Sequence, residues 1–200
     1  MARLLILFAH PALEKSRVHR RLIREAQAIE GVTVNDLYEE YPDFQINVQR
    51  EQALLLDHDL IVLQHPMFWY STPAILKQWQ DLVLEHGWAY GSRGNALRGK
   101  LVLSLITTGG GEAAYQHGGF NRYTIAELLA PIAQTVRLCK MEYLPPYVIF
   151  GTHRMDEDAI AMAAARYRRL LLALRDDRID LAGVNGSPVL NPAVAMLLEG

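Results

Sequence analysis

Five short apolar runs alternating with amphipathic stretches constrain this chain more than any other feature. The first run, Leu4-Leu5-Ile6-Leu7-Phe8, shows no period of two, so neither side of it can face water. A strand buried on both faces is the mark of a parallel sheet covered by helices. Val18, Leu22, Ala26 and Ile29 follow at three- and four-residue spacing, with Ser16 placed to cap a helix and Gly31 to stop it. A second strand is predicted at Val32 to Leu37, a short helical stretch at Glu51 to Leu56, and a third strand at Leu60 to Leu63. Pro73 opens a helix that turns Ile75, Leu76, Trp79, Leu82 and Val83 inward. The fourth strand is Leu101 to Ile106, followed by a helix from Tyr123 to Leu138 despite Pro131. A fifth strand runs from Tyr143 to Phe150, where Pro145-Pro146 either interrupts it or confines it to a sheet edge. Asp156-Glu157-Asp158 puts negative charge at the start of a last long helix with Ile160, Ala164, Tyr167, Leu171 and Leu174 on one stripe and Arg175 and Arg178 near its end.

This order predicts a doubly wound α/β domain, with a parallel sheet between two helical layers and right-handed crossovers, over residues 1–178. Beyond Asp180 the composition shifts to Gly183, Asn185-Gly186-Ser187-Pro188 and Asn191-Pro192, so residues 179–200 are expected to form a C-terminal arm with a last turn at Val194 to Leu198. The bulk numbers agree with one ordinary domain: 200 residues, 50% hydrophobic and 21% charged, argue against disorder. Twenty basic against 22 acidic side chains leave a net charge of −2, with no basic excess to hold nucleic acid. The apolar run after Arg3 is too short for a secretory signal, and His65, Pro66 and Pro73 break the stretch from Leu60 to Leu76 before it reaches the roughly 20 residues of a membrane span. The single Cys139 forms no internal disulfide and is expected as a buried thiol in a reducing, cytoplasmic setting.

Sheets of this kind bind ligands beyond the carboxyl ends of their strands, at the switch in strand order. The loops after strands 1, 3 and 4 are therefore the places to look. After strand 1, His10 precedes Ser16, Arg17, Val18 and His19, and Lys15, Arg20 and Arg21 lie close by. The dinucleotide glycine fingerprint and the Walker loop are both missing. Ser16 either caps a helix and nothing more, or joins the free N–H groups of that helix start in holding a small phosphate. After strand 3, Pro66-Met67-Phe68-Trp69-Tyr70 carries three adjacent aromatic residues that cannot all turn inward; they form either a wall for a flat ligand or a packing surface. After strand 4, Thr107-Thr108-Gly109-Gly110-Gly111 is either a flexible turn or a backbone surface that a ligand can approach without meeting a Cβ. Taken together, a phosphate cradle, an aromatic wall and a glycine-lined surface describe a site for flavin mononucleotide.

Phe8-Ala9-His10-Pro11, Tyr41-Pro42-Asp43-Phe44, Gln64-His65-Pro66-Met67 with Trp69-Tyr70-Ser71, His86-Gly87-Trp88-Ala89-Tyr90-Gly91 and Thr107-Thr108-Gly109-Gly110-Gly111-Glu112 resemble the flavodoxin-like NAD(P)H:quinone oxidoreductases. The likeness is greatest to the branch that serves as ancillary subunit of glutathione-regulated potassium-efflux antiporters, and it covers about residues 1 to 175. The resemblance implies strand order 2-1-3-4-5, FMN as cofactor, a homodimer, and two-electron reduction of a quinone by NADH or NADPH through hydride transfer. It also implies a cytoplasmic protein peripheral to the inner membrane through an antiporter partner. Its flavin contacts map to His10, to Ser16 through His19, to Pro66 through Trp69, and to Thr107 through Gly110. The family's phosphate loop has Asn where this chain has His19. Tyr115 and His117 match, by position and by proximity, the Tyr and His that face the substrate. Two other readings remain at this point. One is a purely regulatory flavin-binding subunit of the antiporter, and the other is a nicotinamide-binding dehydrogenase using Asp36 as ribose acceptor. His86 to Gly91 is a candidate dimer surface or a packing element.

Overall fold

The computed structural model describes residues 1–179, 183 and 186–196. Its centre is β1 (Leu4–Phe8), whose five residues are all buried. Leu5 and Leu7 point to one helical layer while Leu4, Ile6 and Phe8 point to the other, as alternation along a strand requires. β2 (Val32–Asp36) and β3 (Leu60–Pro66) flank it in parallel, with Leu4 beside both Val32 and Leu60. β3 pairs with β4 (Leu101–Thr107), which brings Pro66 level with Thr107 at the carboxyl edge. The fifth position is divided into β5 (Glu142–Tyr143) and β6 (Tyr147–Ile149), both parallel to β4. Pro145 and Pro146 lie between them, and neither can donate an N–H to a ladder. The strand order is 2-1-3-4-5, the flavodoxin-like order that the resemblance implied.

Helices cover both faces. α1 (Arg17–Gln27) and α7 (Glu157–Arg175) close one, burying Val18, Leu22, Tyr167 and Leu171 against Phe8 and its neighbours. The other face carries α3 (Val48–Asp57), α4 (Ala74–Val83) and α6 (Ala130–Leu138), with Leu55, Ile75, Trp79 and Val136 inward. Short α2 (Leu37–Glu40) and α5 (Ile125–Leu128) add Leu37 and Ile125 to this same face. On the second face a fully buried Glu51 accepts hydrogen bonds from Tyr41 Oη (2.6 Å), Asn35 Nδ2 (2.8 Å) and Trp79 Nε1 (2.8 Å), tying α3 to β2 and α4. A buried carboxylate with this many partners holds elements in register and is costly to disrupt.

Several boundaries differ from the sequence expectation. The single helix from Tyr123 to Leu138 is two: a capping box between Thr124 and Glu127 starts α5, and α6 restarts at Ala130 with Pro131 in its first turn, where a missing N–H does no harm. β2 ends at Asp36, not Leu37, because the Asp36 carboxylate caps α2 through the N–H groups of Tyr38 and Glu39. The helical stretch from Glu51 to Leu56 is longer at both ends, with Asn47 as its cap. Leu82 is exposed; at 100° per residue it lies on the margin of the stripe formed by Ile75, Leu76, Trp79 and Val83.

Past α7, the described part of the arm returns to the divided fifth strand. The Leu190 N–H donates to Pro146 O (2.8 Å), and the Asn191 carboxamide both accepts from Val148 N (3.0 Å) and donates to Val148 O (2.7 Å). α8 (Asn191–Met196) follows, with Leu190 and Val194 buried against the α7 layer. Leu197 and Leu198 of the expected last turn, with Asp180 and Asn185, lie outside the described residues. Cys139 is buried, and burial pushes its thiol above the ordinary value. No helix of the described residues is long and apolar enough to cross a membrane.

Candidate active site

β1, β3 and β4 all end at one rim, and two adjoining cavities open there. The first is built by the turn from β1 into α1. A 3₁₀ turn (Leu13–Lys15) brings Ser16 to the helix start, where Ser16 Oγ accepts the His19 N–H at 3.1 Å. The N–H groups of Arg17 and Val18 then have no partner within the helix. The first turn aims His19 inward: its ring is buried, Nε2 lies 2.9 Å from Thr107 Oγ1, and Nδ1 has no partner among the described residues. His10 stands edge-on to it at 5.1 Å between centroids, and Phe68 stands edge-on to His10 at 5.8 Å. Behind them His65 is fully enclosed, with Nδ1 2.9 Å from Pro66 O and Nε2 unpartnered among the described residues.

Burial strips water from a would-be imidazolium, so it lowers all three histidines. His10 is lowered despite Glu14, His19 is pushed well below its usual value, and His65 is brought down to about 4. The rings are therefore neutral at pH 7 and offer nitrogen donors and acceptors without charge. The cavity they floor, of about 410 Å³, also touches Ser16, Pro66, Phe68 and Thr107, with Lys15 and Arg17 at its mouth.

The second cavity, of about 570 Å³, is lined by rings and glycines. Met67, buried, is held level with β4 by its N–H to Thr107 O (2.8 Å). The next residues turn sharply: Ser71 N donates to Phe68 O at 3.0 Å, and Trp69 and Tyr70 between them have φ of 49° and 62°. Two consecutive positive φ values are the pattern of a type I′ turn, a place normally given to Asn-Gly. Here two bulky aromatic residues hold it, each at a strain cost on the order of 1 kcal/mol or more. The turn throws Trp69 out to 93% exposure while Phe68 and Tyr70 stay half exposed.

Opposite this turn, Thr108 Oγ1 donates to Gly110 O at 2.8 Å and folds the glycine loop. A Cβ at Gly109 would lie 2.3 Å from the His153 ring, whereas one at Gly110 would meet Tyr115 only at 3.4 Å. Gly109 is thus needed for close approach. Tyr115 is buried beside Phe150, and burial raises its phenol above the usual value, which keeps the proton available for donation.

The structure gathers His10, Ser16, Arg17, Val18, His19, Pro66, Phe68 and Thr107 around the first cavity, and Met67, Trp69, Gly109, Gly110 and Tyr115 around the second. Thr108 sits between, buried, folding the loop. His117 is not brought to either cavity: its side chain is 73% exposed and lies 3.0 Å from Glu127, whose carboxyl is held down to about 2, first by the Thr124 N–H and then by His117. Asp36 is engaged in its cap, and Trp88 and Tyr90 are half-buried against the core. Tyr70 joins the wall as the aromatic cluster suggested, but sequence reasoning missed Phe120 and Asn121 on that side, and above all His153, the one described residue that lines both cavities. His153 belongs to a 3₁₀ turn (Thr152–Arg154) just past β6. The signal was available, since a fifth strand expected to end at Phe150 brings the residues just past it to the ligand edge.

The chain belongs to the family described as flavodoxin-like fold, whose model matches residues 2–171. It is 44% identical over 169 residues to the glutathione-regulated potassium-efflux system ancillary protein KefF of Klebsiella aerogenes, covering 84% of this chain and 94% of that protein. General stress protein 14 of Treponema denticola, solved in complex with FMN, superposes with a TM-score of 0.79 at 36% identity, over 88% of this chain and 98% of that one. An NADPH-quinone reductase of P. pentosaceus gives a TM-score of 0.76 at 33% identity, over 84% and 96%. Names among the neighbours are not uniform: a chain described as a tryptophan halogenase from Streptomycin violaceusniger is 44% identical with a TM-score of 0.81, over 84% and 98%. A shared fold does not decide chemistry, so the function rests on the site.

Proposed function

We propose that this chain is an FMN-dependent NAD(P)H:quinone oxidoreductase that also serves as ancillary subunit of a potassium-efflux antiporter. The observation that carries the reading is the pair of adjoining cavities at the flavodoxin-type rim, one equipped for a phosphate and the other for a flat conjugated ring. The residues fit the cofactor on three counts. His19 Nδ1 is a buried nitrogen with no partner among the described residues, at the start of a helix whose first N–H groups are free. Gly109 lines the second cavity with bare backbone, its Cβ direction already taken by the His153 ring, 2.3 Å from where that atom would lie. The mouth of the first cavity carries Lys15 and Arg17, and its floor carries no carboxylate.

Ser16, Arg17, Val18 and His19 would hold the phosphate; Pro66 through Trp69 would flank the ring; and Thr107 through Gly110 would line its polar edge. FMN bound there would supply two-electron chemistry, taking a hydride from NADH or NADPH and passing it to a quinone. The chain's own work is to orient and to donate. Backbone N–H groups of the glycine loop face developing negative charge. Tyr115 supplies a hydroxyl proton donor on the floor of the aromatic cavity, whereas His117, paired to Glu127, is the weaker of the two catalytic candidates. The Trp69 turn shields one side from water.

Purified protein titrated with FMN should turn yellow, rise in melting temperature, and oxidise NAD(P)H in the presence of a soluble quinone. A protein that neither binds FMN nor turns over sinks the reading. The likeness to KefF supports the second role. The exposed rings at Trp69, Phe120 and Tyr123 are what a second copy would cover in a homodimer. A flavin-blocked variant that still activates potassium efflux in cells would make the regulatory role independent of reduction.

A further inference from the structure

The aromatic cavity has one feature that an uncharged quinone cannot use. Among the described residues that line it, Arg154 is the only one with a permanent charge; the rest are rings, glycines, Met67, Ala114, Asn121 and the His153 imidazole. Its position is fixed by the backbone. Gly151, at a φ of 72°, donates its N–H to Gly110 O (2.9 Å), and Thr152 donates both N–H (3.0 Å) and Oγ1 (3.1 Å) to Thr108 O. The Thr108 N–H answers to Ile149 O at 3.0 Å. The turn that bears His153 and Arg154 is thus laced to the glycine loop, and the two side chains are carried wherever that loop goes.

No described residue neutralises the cation. The Arg154 side chain has no hydrogen bond or ion pair among the described residues, and the two carboxylates nearest it in sequence are engaged: Asp156 accepts the Ala159 N–H (2.8 Å), and Glu157 holds Arg17 (2.8 Å). Other arginines beside the rim are committed, Arg17 to Glu157 and Arg20 to Glu14 O. A guanidinium with free donors, carried on a turn tied to the glycine loop beside a cavity walled by flat rings, matches a ligand whose flat ring is joined through one ribose to a diphosphate with two negative charges.

We infer that Arg154 grips the diphosphate of the nicotinamide dinucleotide while its nicotinamide stacks on the open face of the flavin ring held between the aromatic turn and the glycine loop. This inference rests on the reductase reading above. Arg154 acts on the hydride donor alone: the quinone is uncharged, and the phosphate of FMN belongs to the cavity on the other side of His153.

The test is rapid-mixing reduction of the FMN-loaded protein by three donors: NADH, NADPH, and the reduced nicotinamide riboside, which has no phosphate. Arg154→Gln should raise the half-saturating concentration of both dinucleotides relative to the riboside on the order of 10-fold, and Arg154→Lys should give an intermediate ratio, because an ammonium keeps the charge but loses the fork. Added salt should weaken dinucleotide binding in the parent protein and much less in Arg154→Gln. FMN affinity, read by quenching of its fluorescence, should stay within about twofold, well under the tenfold that 1.4 kcal/mol represents. An unchanged ratio overturns the assignment, as does an equal shift for all three donors. A shift confined to NADPH overturns the diphosphate in favour of the 2′-phosphate, and a loss of FMN affinity in Arg154→Gln transfers the residue to the cofactor. If the parent flavin is reduced by none of the donors, the reductase reading falls and this inference falls with it, an outcome distinct from reduction that ignores Arg154.

Discussion

The two cavities share a rim and little else. On the phosphate side, buried groups are placed by regular structure: His19 by the first turn of α1, Thr107 by the end of β4, and His65 by β3. On the aromatic side, exposed rings are placed by irregular backbone, with Trp69 and Tyr70 at positive φ and Phe120 at 89% exposure. One half of the site is a by-product of folding correctly, whereas the other is maintained against local preference. Strain and exposure on that second side are a stability cost that the proposed binding role would offset.

The largest blow to this contrast should come from Gly109→Ala. The new methyl meets the His153 ring and drives it toward the cavities it lines, and FMN affinity measured by fluorescence should fall about 100-fold, the upper range of overpacking costs. Stability should change little, since the atom it meets is the exposed His153 side chain, which can rotate away. Gly110→Ala, with its Cβ at ordinary contact distance, should lose far less.

Next comes acid. An unfolded imidazole binds a proton near 6.5, but native His65 does so only near 4, so between these values the unfolded chain holds more protons and stability falls as pH falls. His65 alone should account for about 2 kcal/mol between pH 7 and pH 5, with His19 acting in the same direction. Urea melts at the two pH values should show that loss, reduced in His65→Gln; an identical pH slope in the variant would mean that buried histidines do not govern the phosphate side.

His19→Leu removes the partner of Thr107 Oγ1 and should weaken FMN on the order of 10-fold while leaving riboflavin affinity nearly unchanged. His19→Asn, which restores an amide at the helix start, should recover most of the difference. The smallest effect has the opposite sign. Replacing Trp69 and Tyr70 with Asn and Gly gives the turn its preferred residues and should raise stability by about 1 kcal/mol, while the ring-binding side loses its wall. Calorimetry and an FMN titration on the same sample would show whether the two properties part in this way.

The contrast also governs how much could be read in advance. Strand runs and helix stripes are periodic signals of burial, so Leu4 to Phe8, the α1 stripe and Ser16 as cap were legible in the residues themselves. Strand order came from the resemblance, because periodicity says nothing about which strands are neighbours. On the aromatic side the sequence shows that three rings cannot all be buried, but not that the backbone turns left-handed beneath two of them. His153 escaped for a related reason: its role arises only when the turn after β6 is tied to Gly110. Pro131 and Leu82 misled in the simplest way, since neither the division of a helix nor the margin of a stripe is resolved by counting apolar residues.

The placement of His153 has a consequence for time as well as for affinity. Because His153 is exposed and, among the described residues, is the side chain common to both cavities, a ligand that spans them meets an imidazole free to rotate. Rotation of an exposed side chain takes picoseconds to nanoseconds, whereas opening a backbone lid takes microseconds or longer. Newly made apoprotein should therefore load as fast as encounter with free cofactor allows, with no slow opening phase. The supply of FMN, not the protein, then sets how quickly the chain becomes competent.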